Sequence, residues 1–201
     1  MNQEEIMYIQ RSIDQQLLEW KQSSVHKPLL LRGARQVGKS SAIRHLGETF
    51  KHYIEVNFEK RPELKELFEK TSDVHQLAAR LGMLYNVPIE AGKTLVFLDE
   101  IQACPEAIKS LWFFKEDFPE LHVVAAGSLL EFALKELTSY GVGRIRSLFM
   151  YPLSFDEFLQ AQGKASWIEE KRKADHNHPL FEALHQELVQ QYRTFLMVGG
   201  M

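Results

Sequence analysis

The stretch Gly33-Ala34-Arg35-Gln36-Val37-Gly38-Lys39-Ser40 fits the pattern G-x-x-x-x-G-K-[ST]. It follows the short apolar run Pro28-Leu29-Leu30-Leu31 and opens a helical pattern, so it connects a predicted strand to a predicted helix. Glycines at both ends let the backbone turn sharply, so that successive N–H groups converge on a phosphate chain. The helix beginning near Lys39 adds unpaired N–H groups and a positive dipole end. The stretch therefore predicts a phosphate-binding loop rather than an accidental glycine-rich turn.

The residues of this loop have distinct expected roles. The Lys39 ammonium is expected to reach the β- and γ-phosphates of a nucleotide and to assist catalysis there. The Ser40 hydroxyl is expected to ligate Mg²⁺. The residues predicted to contact the nucleotide are Gly33, Ala34, Arg35, Gln36, Val37, Gly38, Lys39, Ser40 and Ser41.

A second motif is the run Thr94-Leu95-Val96-Phe97-Leu98-Asp99-Glu100, a continuous apolar strand that ends in two carboxylates. Strands that are buried on both faces of a parallel sheet have this composition, and ligands bind at the carboxyl ends of such strands. We expect Asp99 to hold Mg²⁺ opposite Ser40, and Glu100 to act as the general base toward water. The weaker alternative is an acidic pair at a helix start, since Pro105 soon opens another helix.

Three further candidates lie at the end of the next buried strand or after it, and that strand ends at Ser128. Ser128 is predicted either to sense the γ-phosphate or to cap a helix over 129–137 through a capping box with Glu131, and the sequence favours neither role. Arg144 is a candidate for neutralising the transferred phosphoryl group, in its own chain or in a neighbour's site. Arg146 is a lesser candidate, and a surface ion pair is the commoner role for both arginines.

The segments that flank these motifs predict further elements. Residues 5–22 show the apolar spacing of an amphipathic helix, in which Arg11 is a weak candidate for contacting the base. The stretch Tyr53–Phe58 alternates with period two, which indicates a strand near a sheet edge. Helical segments are predicted over 62–70 and over 73–86, the second capped by Asp73.

The C-terminal part of the sequence predicts helices and a charged loop. Ser154 and Glu157 form a capping box that starts one helix, and the last helix carries an apolar stripe. The charged stretch 169–178 is predicted to be an exposed loop. Its run Lys171-Arg172-Lys173 is short, so a solvated face is favoured over nucleic-acid binding. The members of the apolar stripe are Leu184, Leu188, Tyr192 and Phe195.

Composition narrows the class of protein. The 201 residues are 45% hydrophobic and 25% charged, as in an ordinary globular protein, and the net charge of −3 provides no general attraction to nucleic acid or to anionic membranes. The single cysteine, Cys104, excludes an intramolecular disulfide and is compatible with a reducing cytoplasm. Apolar runs fall short of the roughly 20 residues of a membrane span. We therefore expect a cytoplasmic protein without a membrane partner.

The motifs together resemble those of the prokaryotic AAA-type P-loop ATPases that carry a C-terminal domain of unknown function. The resemblance implies an α/β fold of three layers, α/β/α, around a five-stranded parallel sheet. It also implies that one strand is inserted between the phosphate-loop strand and the Asp-Glu strand, and that a small helical lid follows residue 151. The motifs that carry it are Gly33–Ser40, Phe97-Leu98-Asp99-Glu100-Ile101-Gln102, Ala126-Gly127-Ser128-Leu129-Leu130, Gly143-Arg144 and Tyr151–Leu159.

This resemblance also implies a domain organisation. We expect an N-terminal helix packed on the core over 1–24, a P-loop ATPase core over 25–151, and the helical lid over 152–201. Family members continue past a Gly-Gly pair like Gly199-Gly200, so we expect the lid to be truncated before a further C-terminal domain.

The predicted function is a Mg²⁺-dependent ATPase that uses ATP hydrolysis to change the conformation of the lid and of the C-terminal domain. The alternatives are a nucleotide-sensing switch with little turnover and a DNA-associated ATPase. A phosphotransferase is disfavoured because the Asp-Glu pair suits water, and a GTPase because no N-K-x-D motif is present. The expected partners are ATP and ADP, the C-terminal domain of the same chain and, as a possibility, further copies of the chain.

Overall fold

A parallel sheet of five strands lies at the centre of the computed structural model, which describes residues 8–24, 26–128 and 143–200. The spatial order is β2-β3-β4-β1-β5, and each pair of neighbours is parallel. The inserted strand β4 therefore lies between the phosphate-loop strand β1 and the Asp-Glu strand β3, which confirms the predicted sheet. The strands are β1 Leu29–Arg32, β2 His52–Asn57, β3 Thr94–Asp99, β4 His122–Ala126 and β5 Arg146–Phe149.

Within the described residues, one helix precedes the sheet, others connect the strands from β1 to β4, and three follow β5. Asp73 accepts hydrogen bonds from the backbone of His75 and Gln76, so it caps its helix as predicted. Short 3-10 turns at Pro62–Leu64 and Ile101–Ala103 precede two of the helices. The helices are α1 Ile13–Gln22, α2 Lys39–Gly47, α3 Lys65–Glu69, α4 Val74–Tyr85, α5 Pro105–Asp117, α6 Phe155–Ala161, α7 Ala165–Lys173 and α8 Glu182–Val198.

Both faces of the central strands are buried, which explains their unbroken apolar sequences. Val96 and Leu98 of β3 belong to a core cluster shared with helices α3 to α5. The intervening residues point to the opposite face of the sheet because successive side chains alternate, and they are buried as well. The edge strand β2 instead alternates between buried and partly exposed residues. Burying each large apolar side chain contributes about 1.5–3 kcal/mol, so the sheet holds its carboxyl edge firmly in place.

The chain forms two compact units, one over 13–150 and one that joins residues 8–12 to 151–200. Helix α1 begins at Ile13, so the predicted helix 5–22 is too long: residues 8–12 are not helical, and residues 5–7 lie outside the described part. The reason is visible at Ser12, whose backbone N–H and hydroxyl both donate to the Glu157 carboxylate, at 2.7 and 2.8 Å. Arg11 forms an ion pair with the same carboxylate, at 3.2 Å.

The helices after residue 151 correct one prediction and confirm another. Ser154 and Glu157 form the predicted capping box at the start of α6. The predicted exposed loop over 169–178 is wrong for residues up to Lys173, which belong to α7. Ile168 of α7 is buried against the apolar residues of α6 and α8. Few apolar residues make this contact, and the many charged residues of α7 hid the helical pattern in the sequence. Lys171 and Arg172 form ion pairs with Asp156, which is compatible with the predicted solvated face.

The predicted helix over 129–137 lies outside the described residues. Among the helices of the described ranges, none combines the length and apolar composition that crossing a membrane requires.

Candidate nucleotide site

The phosphate-loop stretch connects the end of β1 to the start of α2 at the carboxyl edge of the sheet. Gly38 has a φ of 96°, and Gln36, inside the loop, has a φ of 64°. Gly33 has a φ of 148°, and a Cβ at this position would lie 2.2 Å from the carbonyl oxygen of Met150. Only glycine avoids this contact, so Gly33 lets the loop pass directly beside the end of β5.

The Lys39 side chain folds back over the loop that precedes it. Its ammonium donates to the carbonyl oxygens of Gly33 and Ala34, at 2.9 and 2.6 Å, and the residue is 8% exposed. Burial lowers the pKa of Lys39, while the charges of Glu100 and Asp99 act in the opposite direction. The ammonium is therefore positioned at the loop, where phosphate oxygens would replace neutral carbonyl acceptors.

Ser40 and Asp99 are 59 residues apart in the sequence and lie in direct contact. The Ser40 hydroxyl is 3.0 Å from Oδ1 and 3.1 Å from Oδ2 of the Asp99 carboxylate. The first turn of α2 positions the hydroxyl, and the end of β3 positions the carboxylate. The structure thus brings together the two residues predicted to hold Mg²⁺.

The environment of Asp99 suits a divalent cation. The carboxylate is almost fully buried, and its hydrogen-bond partners among the described residues are two neutral donors, the Ser40 hydroxyl and the Asn57 amide. Burial raises the pKa of Asp99, the negative charge of Glu100 raises it further, and these two hydrogen bonds oppose the rise. A desolvated carboxylate beside a hydroxyl oxygen is a donor set of the kind that Mg²⁺ prefers, so these residues fit the ion.

Asn57 is a residue of the site that the sequence interpretation missed. Its Nδ2 donates to Asp99 Oδ2 at 2.9 Å, while its Oδ1 accepts from the backbone N–H groups of Glu59 and Lys60, at 3.1 and 2.8 Å. The two backbone donors fix the orientation of the amide, so its NH₂ group points at the carboxylate. The available signal was its place at the end of the predicted edge strand, directly beside Asp99 in the register.

Glu100 directly follows β3 and has an unusual backbone conformation. Its φ of 51° and ψ of 45° lie in the left-handed region, a conformation that costs a residue of this type about 1–3 kcal/mol. Gln102 Nε2 donates to Glu100 Oε2 at 2.6 Å, a contact that the sequence did not indicate. The turn and the amide together fix where the predicted general base lies, next to Asp99.

Comparison with known proteins identifies the family of this chain. A family model described as an AAA domain matches residues 25–159, about two thirds of the chain. The chain belongs to this family. It is an AAA-type P-loop ATPase domain, and the matched residues contain the loop, Asp99 and Glu100. The expected C-terminal domain of unknown function stays a prediction.

A solved structure shares the fold of this AAA domain. It is a Walker-type ATPase of Pyrococcus abyssi, with a TM-score of 0.51 and 19% sequence identity. The alignment covers 94% of this chain and 74% of that one. No curated protein matches the sequence significantly.

Ser128 of the AAA domain lies at the carboxyl edge of the sheet, two residues beyond the end of β4. Its hydroxyl accepts a hydrogen bond from Arg35 Nε at 3.4 Å. The helix that Ser128 was predicted to cap lies outside the described residues, so capping and phosphate sensing both stay predictions.

Arg144 and Arg146 lie away from the loop in the same AAA domain. Arg146 begins β5 and is paired with Leu29 at the start of β1, so both arginines are near the amino edge of the sheet. Arg144 donates to Glu116 at 2.9 Å, and its guanidinium lies 4.8 Å from the centre of the Trp112 ring. The structure therefore does not bring either arginine to the loop of its own chain. A role for Arg144 in a neighbour's site stays a prediction.

Proposed function

We propose that this AAA domain is a Mg²⁺-dependent ATPase that hydrolyses ATP to ADP and phosphate. The observation that carries the proposal is the contact between the Ser40 hydroxyl and the Asp99 carboxylate, at 3.0 and 3.1 Å, directly beside the loop lysine. These residues come from separate motifs, and their meeting at the carboxyl edge of a parallel sheet is the arrangement that nucleotide phosphates require.

In this proposal, the chain binds the triphosphate through the loop. Backbone N–H groups of residues 33–41 and the Lys39 ammonium bind the phosphates, with the positive end of α2 directed at them. Ser40 and Asp99 would hold Mg²⁺, which when bound neutralises negative charge on the phosphate oxygens. Exchanging the carbonyl partners of Lys39 for phosphate oxygens replaces neutral acceptors with anionic ones, so that donor and acceptor are both charged, which favours the bound state.

Glu100 is the proposed general base for hydrolysis. The oxygen of a water molecule forms a bond to the γ-phosphorus, and its proton passes to the Glu100 carboxylate. The bond between the γ-phosphorus and the bridging oxygen breaks, and its electron pair leaves with ADP. Lys39 neutralises charge on the phosphates as this happens. Gln102 restrains Glu100 by the 2.6 Å hydrogen bond, which keeps the base in one orientation.

A slow nucleotide-sensing switch is the second candidate, and the position of Arg144 favours it. In a single chain this arginine is paired with Glu116 near the amino edge of the sheet, so it provides no charge to its own site. Turnover by an isolated chain would then be slow, and association with a second copy would accelerate it. We extend the proposal to the unit over 151–200, in which nucleotide hydrolysis would drive a conformational change.

Nucleotide binding and turnover by four proteins test the proposal. The wild type is expected to bind ATP and to hydrolyse it only with Mg²⁺, whereas Lys39→Ala is expected to lose most of its affinity. Glu100→Gln should bind ATP as tightly as the wild type but hydrolyse it about 10²–10⁴ times more slowly. Lys70→Ala, which removes an exposed lysine paired with Glu66, is the control and should behave as the wild type. A wild type without ATP affinity, or undiminished turnover by Glu100→Gln, would contradict the proposal.

A further inference from the structure

Arg35 lies inside the phosphate loop, between the two glycines that shape it. Its side chain is exposed, and its hydrogen-bond partner among the described residues is the neutral hydroxyl of Ser128. The Nε–Oγ distance of 3.4 Å is at the long end for such a bond. No carboxylate of the described ranges pairs with this guanidinium, whereas Arg44, Arg61 and Arg144 each have a glutamate partner. Within the described residues, Arg35 therefore carries a positive charge without a carboxylate partner at the mouth of the site.

The partner of Arg35 shows where the guanidinium points. Ser128 follows β4, and Ala126 at the end of β4 is in register with Leu31 of β1 on one side and with Asp99 of β3 on the other. The guanidinium thus extends from the loop toward the strand that lies between the loop and the two carboxylates. The side chain also lies close enough to Lys39 for its charge to lower the lysine's pKa, in addition to the larger effect of burial.

Arg144, which lies two residues before β5, provides no positive charge to the site of its own chain. Because Arg144 lies near the amino edge of the sheet, it cannot reach phosphates bound at the carboxyl edge of its own chain. Arg35, in contrast, is part of the loop and already extends over the carboxyl edge. Its guanidinium offers five N–H donors in a planar fork that matches phosphate oxygens.

We propose that Arg35 is a catalytic residue whose guanidinium binds the γ-phosphate of ATP and rests on Ser128 when no γ-phosphate is bound. The proposal rests on the ATPase function proposed above. Arg35 forms no covalent bond and transfers no proton; it donates hydrogen bonds to γ-phosphate oxygens while the phosphoryl group passes to water. A phosphate oxygen is a stronger acceptor than a hydroxyl, so ATP displaces the long contact to Ser128.

This role has a consequence that separates ATP from ADP. ADP lacks the γ-phosphate, so it makes no contact with the guanidinium and leaves Arg35 on Ser128. Arg35 therefore contributes to the affinity for ATP and to the rate of hydrolysis, but not to the affinity for ADP. A residue that only maintained the loop conformation would affect both nucleotides equally.

The test compares binding of a non-hydrolysable ATP analogue and of ADP, both with Mg²⁺, and measures kcat for ATP. Arg35→Ala is expected to weaken the binding of the ATP analogue by about 10- to 100-fold and to leave the ADP affinity within about twofold of the wild-type value. Its kcat should fall by about 10²–10³-fold, the usual effect of losing one hydrogen-bond donor to transition-state charge. Arg35→Lys should recover part of the affinity for the analogue and little of the kcat, because an ammonium lacks the planar fork.

The control is Arg61→Ala, which removes an exposed arginine paired with Glu63 and lowers the net charge by the same amount. It should match the wild type in all three measurements. An unchanged ratio of ATP-analogue to ADP affinity in Arg35→Ala, whether both stay the same or both fall, would overturn the inference. If the wild type hydrolyses ATP and Arg35→Ala does so equally well, only this inference fails; if the wild type binds neither nucleotide, the ATPase function fails with it.

Discussion

Asn57 and Asp99 end two neighbouring parallel strands, and the Asn57 amide donates to the Asp99 carboxylate at 2.9 Å. The backbone of Glu59 and Lys60 holds the other side of that amide, so the loop after β2 determines the orientation of a carboxylate on β3. Asn57 is thus a positioning residue for the proposed Mg²⁺ ligand.

Replacing this amide should weaken the use of Mg²⁺. Partners that orient a metal ligand are typically worth about 10–100-fold in metal affinity, so Asn57→Ala should raise the Mg²⁺ concentration for half-maximal ATPase activity by about that factor. A Mg²⁺ titration of the ATPase rate measures it. Asn177→Ala, in the exposed turn after α7, serves as the control. The same Mg²⁺ requirement in Asn57→Ala and the wild type would show that the amide does not orient Asp99.

The Gln102–Glu100 hydrogen bond predicts a variant in which kcat changes and the Kd for ATP does not. Gln102→Ala removes the donor that restrains the general base, so the base samples unproductive orientations. We expect kcat to fall by about tenfold, within the range that general-base catalysis contributes. The Kd for ATP should not change, since the Gln102 side chain donates its hydrogen bond to Glu100 and not to the loop. Gln76→Ala, on the surface of α4, provides the comparison, and an equal change in kcat and Kd would contradict a positioning role.

Gly33 provides a test of loop geometry. A Cβ at this position would lie 2.2 Å from the Met150 carbonyl oxygen, so Gly33→Ala must displace the loop or the end of β5. We expect at least a tenfold loss of ATP affinity, measured by calorimetry. Gly92→Ala is the matched control because Gly92 also has a positive φ, 72°, but open space around it. ATP affinity retained by Gly33→Ala would show that the loop tolerates the displacement.

How much of the site was predictable depends on whether a local sequence motif marks the contributing residues. The meeting of Ser40 and Asp99 followed from two local motifs and from the rule that parallel strands share a carboxyl edge. The Asn57 contact required the strand register, and the Gln102 contact required the left-handed turn at Glu100. Strand register and the conformation of a single turn residue are features that hydrophobic periodicity does not encode.

The errors in the predicted fold also concern features that no local motif marks. Helix α7 was mistaken for a loop because most of its residues are charged and only Trp167 and Ile168 pack on its apolar side. The predicted N-terminal helix was too long because Ser12 donates its backbone N–H to Glu157, a residue 145 positions away. The place of Arg144 near the amino edge of the sheet also follows only from the topology.

Glu157 leads to a prediction about stability and pH. Burial of this carboxylate favours the neutral form, but hydrogen bonds from Ser154 and Ser12 and the ion pair with Arg11 outweigh it and lower the pKa of Glu157 to about 2. In the unfolded chain this carboxyl has the ordinary glutamate pKa of about 4.3. Below that pH the unfolded state therefore binds more protons than the folded state. The stabilisation by Glu157 is therefore complete above that pH and is lost as the pH falls toward 2.

Urea unfolding of Glu157→Gln tests this prediction. At pH 7 the variant should lose about 1–3 kcal/mol of unfolding free energy, since it keeps the shape but not the charge that accepts these hydrogen bonds. The difference from the wild type should shrink between pH 4.5 and pH 3. Glu170→Gln, which affects an exposed pair with Lys173, should cost little. A difference that stays constant with pH would contradict the linkage.

The most direct test of the central claim is a double-mutant cycle on Ser40 and Asp99, measured as the affinity for ATP with and without Mg²⁺. If both side chains hold one cation, Ser40→Ala and Asp99→Asn should each remove most of the gain in affinity that Mg²⁺ provides. The double variant should then lose little more than either single one. Losses that simply add, or a Mg²⁺ effect that survives both substitutions, would contradict the claim that these residues share one magnesium–nucleotide complex.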